Sequence, residues 1–302
     1  MKKYYIGVDI GGTNSRVALV SDRFNIIERS SLATKSYGSP KALIQAVCST
    51  ILSALRKKDI TSGNIIGIGI GIAGQVDFPR GIVRNLTNVP GWKNVALKGL
   101  IERRLFIPAY VDNDVNVMAL AEFYKGAGRG CRNIVCVALG TGVGGGIIID
   151  GKLYRGSTST AGEIGHIPIN EVGPRCNCGG RACIESYIGA RYLTRDLGGL
   201  TPEEAYRAAR RGDRRARRFW EKTAVRLGIM LSGVINLLNP DRVVIGGGVA
   251  QAGGFLFKPL KATIKRRAMP LQATRVKIVK AALGTDAGII GAAILASLER
   301  DK

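Results

Sequence analysis

Twice in this 302-residue chain an apolar run enters a glycine-rich turn and leaves it as a second apolar run. Tyr4-Tyr5-Ile6-Gly7-Val8 leads into Asp9-Ile10-Gly11-Gly12-Thr13 and out through residues 15–20. Residues 134–139 lead into Gly140-Thr141-Gly142-Val143-Gly144-Gly145-Gly146 and out through Ile147-Ile148-Ile149. Each is the pattern of a β-hairpin with glycines at its tip. The two lie about one domain length apart, and helical signals fall between them, so the chain reads as two similar α/β halves. Helical spacing runs over residues 40–56, with Leu43, Ile44, Val47, Ile51 and Leu55 on one face, and over residues 115–124 after an Asp112-Asn113-Asp114 turn. Thr201-Pro202-Glu203-Glu204 is a further helix start, and residues 285–298 form a closing helix of small residues.

Glycine lets backbone N–H groups come close to phosphate oxygens, so both turns are candidate anion cradles. Two dinucleotide fingerprints also match by pattern, at Gly140, Gly142 and Gly145 and at Gly69, Gly71 and Gly74. Neither opens a helix, as that fingerprint must, and no Walker sequence is present. At Asp112-Asn113-Asp114-Val115-Asn116, helix capping accounts for one polar side chain but not for four. Continued strand alternation would turn Asp112 away from Asp114, so Asp112 is expected to be dispensable.

His166 is the only histidine, ten residues before Cys176-Asn177-Cys178-Gly179-Gly180-Arg181-Ala182-Cys183, with Glu163 and Glu185 on either flank. One imidazole and three thiolates fill a tetrahedral zinc shell and leave no place for a reacting water, so the metal is expected to be structural. Cys-x-Cys is tighter than the usual ligand gap, and the lone histidine restores the case. Cys48, Cys131 and Cys136 read as buried reduced thiols.

The stretch Ala161-Gly162-Glu163-Ile164-Gly165-His166, followed by Cys-x-Cys-Gly-x-x-x-Cys-x-Glu ending at Glu185, resembles the diagnostic segment of the ROK family of sugar kinases and sugar-responsive repressors. The family pattern has Gly before the third cysteine; here Ala182, nearly as small, stands there. The resemblance implies two similar actin-like (ribonuclease H-like) α/β domains with an active-site cleft between them, residues 1–115 plus 286–302 and residues 116–285. It implies ATP with Mg2+, with Asp9 holding the magnesium through water and Gly11, Gly12 and Thr13 approaching the transferring phosphate. Thr141 and Gly142 would grip the nucleotide from the other domain, and Gly246, Gly247 and Gly248 would line the adenosine. Gly74, Asn88, Asn113, Asp114, Glu163, His166 and Glu185 would bind the sugar, with Asp114 taking the proton from the attacking hydroxyl. His166, Cys176, Cys178 and Cys183 would hold Zn2+.

The expected reaction is γ-phosphoryl transfer from ATP to the 6-hydroxyl of an aldohexose, glucose first. N-acetylmannosamine, N-acetylglucosamine, mannose and fructose stay open, as does polyphosphate as donor. A sugar-responsive regulator is the alternative class; such members carry an N-terminal winged helix, for which the residues before Asp9 leave no room. A homodimer or higher homo-oligomer is implied. Asp9 breaks the leading apolar run before a secretory segment forms, and no run is long enough to span a membrane, so a cytoplasmic protein without membrane partners is expected. The formal net charge is +23, and much of the excess lies in residues 206–220. Without aromatic interleaving or a recognised nucleic-acid motif, that stretch reads as a solvated pair of arginine-bearing helices and not as a nucleic-acid surface.

Overall fold

The computed structural model describes residues 2–86 and 91–300. These residues divide into two compact units. The first comprises residues 1–126, 153–161 and 285–302; the second comprises residues 127–152 and 162–284.

The first unit is built from β1 (Tyr4–Ile10), β2 (Asn14–Ser21), β3 (Ile26–Ala33), α1 (Pro40–Lys57), β4 (Ile65–Ile72), β5 (Gly74–Asp77), β6 (Ile82–Leu86), β7 (Lys93–Val95), α2 (Leu97–Leu105), β8 (Ala109–Asn113) and α3 (Asp114–Tyr124). Its main sheet has the order β3-β2-β1-β4-β8, and β5-β6-β7 form a small second sheet. The first three strands are antiparallel neighbours, while β4 and β8 join in parallel. Strand alternation divides the sheet between two helical layers. Ile6, Val8, Ile10, Ile68, Ile70 and Ile72 pack with Leu43, Val47 and Ile51 of α1 and with Leu97 and Ile101 of α2.

The opposite face carries Tyr5, Ala18 and Val20, packed against Ile289, Ala293 and Ala296 of the closing helix. Gly7 and Gly69 lie on this face, where a Cβ would meet the backbone of Ile289 and Ala292 respectively. The alternating Gly-Ile run of β4 is therefore a strand pressed against a helix, and this accounts for the false dinucleotide match at Gly69 and Gly71.

The second unit contains β9 (Ile134–Leu139), β10 (Val143–Ile149), β11 (Lys152–Leu153), α4 (Glu185–Ile188), α5 (Ala190–Asp196), α6 (Pro202–Arg210), α7 (Arg214–Leu238), β12 (Arg242–Gly246), α8 (Gly254–Arg267), α9 (Pro270–Arg275) and β13 (Lys277–Lys280). The closing helix α10 (Ala287–Arg300) returns to the first unit. The second sheet runs β11-β10-β9-β12-β13, with an antiparallel β9–β10 hairpin and parallel β12 and β13. That is the order and sense of the first sheet again, so the internal repeat in the sequence is a repeat of topology. Its core joins Val135, Val137, Val243 and Ile245 to Trp220, Leu227 and Leu231 of α7 and to Leu256 and Leu260 of α8.

Three local features differ from the sequence reading. Helix α3 begins at Asp114 and belongs to the first unit, so the division falls after Gly126 and not after residue 115. The cause is its packing on α10, so close that a Cβ on Gly291 would overlap the backbone of Val117. Strand β10 begins at Val143, which puts Gly144, Gly145 and Gly146 inside a strand and leaves only residues 140–142 for the turn. Cys131 is half-buried, unlike the buried Cys48 and Cys136.

The arginine-rich stretch forms the expected helix, turn and helix. A reciprocal Thr201–Glu204 capping box starts α6, and the Asp213 carboxylate accepts from Ala216 N–H at the start of α7. Arg210, Arg211, Arg214 and Arg215 are all exposed. Among the described residues no helix is long and apolar enough to cross a membrane.

Candidate active site and metal centre

In the first unit the β1–β2 register pairs Asp9 with Arg16 and Ile10 with Ser15, leaving residues 11–13 as the turn. Gly11 N–H closes it on the Asn14 carbonyl (3.1 Å), and Thr34 N–H donates to the Thr13 carbonyl (2.9 Å). A Cβ on Gly12 would meet no protein atom within 4 Å. Its lack of a side chain thus serves no internal packing and leaves the backbone open to a ligand. Asp9 lies 3.6 Å from the Arg16 guanidinium. Burial pushes the Asp9 carboxyl above the usual carboxylate range, and Arg16 offsets part of that rise.

The Asp112-Asn113-Asp114 corner is where β8 becomes α3. Asn113 is the N-cap: its Oδ1 accepts from Val115 N–H (2.9 Å) and Asn116 N–H (3.4 Å), and its Nδ2 donates to the Gly74 carbonyl (3.1 Å). Gly74 opens β5, where a Cβ would collide with the Asn85 carbonyl, so its part here is to aim the Asn113 amide. Asp114 is the first helical residue, and its Oδ1 accepts from Val115 N–H at 2.9 Å. Asn88 lies outside the described residues.

Asp112, expected from continued alternation to be dispensable, is 1% exposed, and its strand ends at Asn113, directly before Asp114 starts the helix. Its Oδ1 accepts from Asn113 N–H (2.7 Å) and Asn116 Nδ2 (2.8 Å), and its Oδ2 accepts from Arg155 Nε (2.7 Å). Arg155 is the functional candidate that the sequence reading missed. It stands outside every motif as one cation among 45, and only the folded chain brings it to Asp112.

In the second unit the Gly140–Gly142 turn is closed by Gly140 N–H on the Gly142 carbonyl (3.0 Å), and Ala190 N–H donates to the Gly140 carbonyl (2.9 Å). The Glu185 Oε2 accepts from Val143 N–H at 2.9 Å and occupies the space a Gly142 side chain would take. Thr141 is exposed. Strand β12 ends at Gly246. Gly247 then turns at φ +88°, where a Cβ would strike the Leu139 backbone, and Gly247 and Gly248 are left exposed.

The ligand atoms of His166, Cys176, Cys178 and Cys183 all lie within 4.8 Å of one another. Cys178 Sγ and Cys183 Sγ are 3.7 Å apart, and Cys176 Sγ lies 3.7 Å from His166 Nδ1. Three sulfurs at about 2.3 Å and one nitrogen at about 2.0 Å from a tetrahedral centre would be separated by about 3.8 and 3.6 Å, so the donor set fits. With Nδ1 turned to the cluster, His166 Nε2 faces the Glu163 carboxylate at 3.8 Å. Cys176 Sγ also lies 3.9 Å from Glu185 Oε1, which puts one carboxylate against both the cluster and the 140–142 turn.

As thiols, Cys183 is pushed up to about 12 by burial and by its two cysteine neighbours, and Cys176 is raised by burial, while the Gly180 N–H lowers Cys178. A shared cation reverses the two rises and releases the protons. Ala182 has φ +57°, so the glycine usual at that position is favoured for its backbone freedom and not for its size. Alanine costs about 1 kcal/mol there.

The sequence profile of the ROK family matches residues 5–299. The chain belongs to the ROK family. It is 34% identical to a glucokinase of Halalkalibacterium halodurans, over 96% of this chain and 93% of that one. The fold superposes with a TM-score of 0.83 on a ROK glucokinase of Streptomyces griseus solved in complex with glucose and AMPPNP, at 32% identity over 98% of this chain and 99% of that one. A xylose repressor of Caldicellulosiruptor bescii is 28% identical over 95% of this chain but over only 76% of its own length. The ROK family and its actin-like fold are thus those the motif resemblance implied.

The buried Asp9 carboxylate yields a prediction with a definite sign. A carboxyl whose folded pKa is raised contributes stability that is present below its unfolded pKa and lost as pH rises through the folded one. Asp9 therefore contributes less stability at pH 7.5 than at pH 4. Asp9→Asn should melt at or above the wild-type temperature at pH 7.5, with the advantage shrinking towards pH 4. If Asp9 holds the magnesium of ATP through water, as the resemblance implies, turnover of the variant with ATP should also fall by about 10²-fold or more. Thermal unfolding at the two pH values, beside initial rates, checks both halves; a variant that melts well below wild type at pH 7.5 contradicts the burial cost.

Proposed function

We propose that the protein is an ATP-dependent hexose kinase that moves the γ-phosphoryl of ATP to the 6-hydroxyl of an aldohexose, glucose foremost. The observation that carries this reading is the Asn113–Asp114 corner. A carboxylate stands at the first turn of α3, beside an amide whose own direction is fixed by the Gly74 carbonyl. The full-length likeness to glucokinases supports glucose as acceptor and ATP as donor. It also favours a kinase over a regulator, since the identity to the glucokinase is 34% against 28% to the repressor.

In this reading Asn113, Gly74 and Asn88 hold sugar hydroxyls on the first unit, and Glu163, His166 and Glu185 hold others on the second. Asp114 accepts the 6-hydroxyl proton as the oxygen attacks. Phosphoryl transfer through a loose transition state asks chiefly for placement and charge stabilisation, which a held carboxylate and two open backbone turns supply. Gly11, Gly12 and Thr13 approach the γ-phosphoryl, with the N–H groups of Gly12 and Thr13 as its donors, Thr141 and Gly142 contact the phosphates, and Gly246, Gly247 and Gly248 leave room for the adenosine. Magnesium bound with ATP would neutralise phosphate charge, and Asp9 is the carboxylate placed to hold it through water.

Zinc at His166, Cys176, Cys178 and Cys183 would be structural and would fix the segment that carries Glu163 and Glu185. One Glu185 oxygen already holds Val143 N–H, so loss of the metal should disturb the 140–142 turn as well as the sugar contacts. A cytoplasmic homodimer completes the proposal. Exposed Leu237, Met269 and Leu271, brought together where Met269 N–H donates to Asn236 Oδ1, support a covered surface.

A panel of hexoses and N-acetylhexosamines with ATP, read by ADP release, tests the acceptor, and glucose should give the highest kcat/KM. In the same assay Asp114→Asn should bind glucose within about tenfold of wild type while kcat falls by about 10² to 10⁴, the loss expected for a general base. Near wild-type turnover in Asp114→Asn would sink the base assignment. Elemental analysis should return one zinc per chain, reduced in Cys178→Ser. Metal well below one equivalent in the wild type, unchanged by that substitution, contradicts the metal reading.

A further inference from the structure

The chain leaves the second unit after Lys152, runs through residues 153–161 packed with the first unit, and re-enters the second unit at Gly162. Arg155 is the anchor of that strap. Its side chain is only 15% exposed, its guanidinium lies 3.6 Å from the centroid of the Phe78 ring, and its Nε reaches Asp112 at 2.7 Å. Its Nη2 donates to Glu299 near the end of α10 at 3.4 Å. One cation thus serves two largely buried carboxylates. Removing it would take an ion-pair partner from both, a larger disturbance than losing a surface pair.

The strap closes on itself. Ala161 N–H donates to the Arg155 carbonyl (2.9 Å), and the Thr158 and Thr160 hydroxyls share a bond of 2.8 Å. Gly156 supplies the left-handed turn directly after Arg155, at φ +70°. From Arg155 the hydrogen bonds lead through Asp112 to Asn113 N–H and Asn116 Nδ2, the two points that fix the first turn of α3. Asp114 stands between them.

We propose that Arg155 is the positioning residue of the catalytic corner. Through Asp112 it sets the Asn113-Asp114-Val115-Asn116 turn. The inference rests on Asp114 being the base. Arg155 itself touches no substrate in this account. Its effect is a matter of placement, where an error of about 1 Å costs about 10²-fold in rate.

The test is the steady-state kinetics of Arg155→Met and Arg155→Lys with ATP and glucose, with Asp114→Asn assayed in parallel. Arg155→Met should lower kcat by about 30- to 100-fold while the KM for ATP stays within about threefold. Arg155→Lys, which keeps the charge but not the planar fork, should recover about tenfold of the loss. A merely structural role would move kcat, both KM values and thermal stability together, with no selective recovery by lysine; that pattern overturns the proposal. So does a folded Arg155→Met with kcat within twofold of wild type when Asp114→Asn is inactive. Should Asp114→Asn keep turnover, it is the base reading that fails. If Arg155→Met does not fold, Arg155→Lys decides alone: a kcat defect of several-fold with unchanged KM for ATP supports the role, and wild-type kinetics overturn it.

Discussion

A buried carboxylate at the end of a strand must have all its acceptor positions occupied, and the way Asp112 meets that demand organises the first unit. One oxygen draws in Arg155; the other collects the N–H of Asn113 and the amide of Asn116. Because those partners are the backbone and side chains of the following turn, satisfying Asp112 also fixes where β8 stops and α3 starts. The residue proposed as base inherits its place from a neighbour that never meets the substrate. Networks of this kind are costly when half complete, which favours keeping the three donors to Asp112 together.

The two units solve a common problem with one topology. Each begins with an antiparallel hairpin whose tip is left open, and each extends the sheet by parallel strands. In the first unit the tip is pinned by Thr34 and bordered by the Asp9–Arg16 pair. In the second it is held from outside, by Ala190 N–H on the Gly140 carbonyl and by the Glu185 carboxylate on Val143 N–H. Glu185 sits beside Cys176, so the cysteine and histidine cluster and the 140–142 turn share a support.

Periodic and local signals were legible before the structure. Helix α1 follows its apolar spacing, α6 starts at its Thr-Pro-Glu-Glu signature, and the side chains of His166, Cys176, Cys178 and Cys183 converge as their residue types foretold. What depended on side chains far apart in sequence was not legible. Arg155 lies 43 residues from Asp112, so no spacing rule reaches it. The expectation for Asp112 was conditional on strand alternation reaching Asp114, and alternation ends where Asn113 caps a helix. Ala182 looked like a matter of volume, yet its φ of +57° makes it one of backbone freedom. The glycines of β10 and β4 resembled nucleotide loops, although they record the close approach of Gly162 to Gly145 and of α10 to Gly69.

The central claim is that the proposed base works because Asp112 holds its turn. Single-turnover transfer from ATP to glucose by Asp112→Asn measures this most directly, since it isolates the chemical step from product release. The asparagine keeps an acceptor for Asn113 N–H but presents an N–H₂ group towards Arg155, so transfer should slow by about 10- to 100-fold while sugar 6-phosphate remains the product. A folded Asp112→Asn protein that transfers phosphate as fast as wild type would contradict the account.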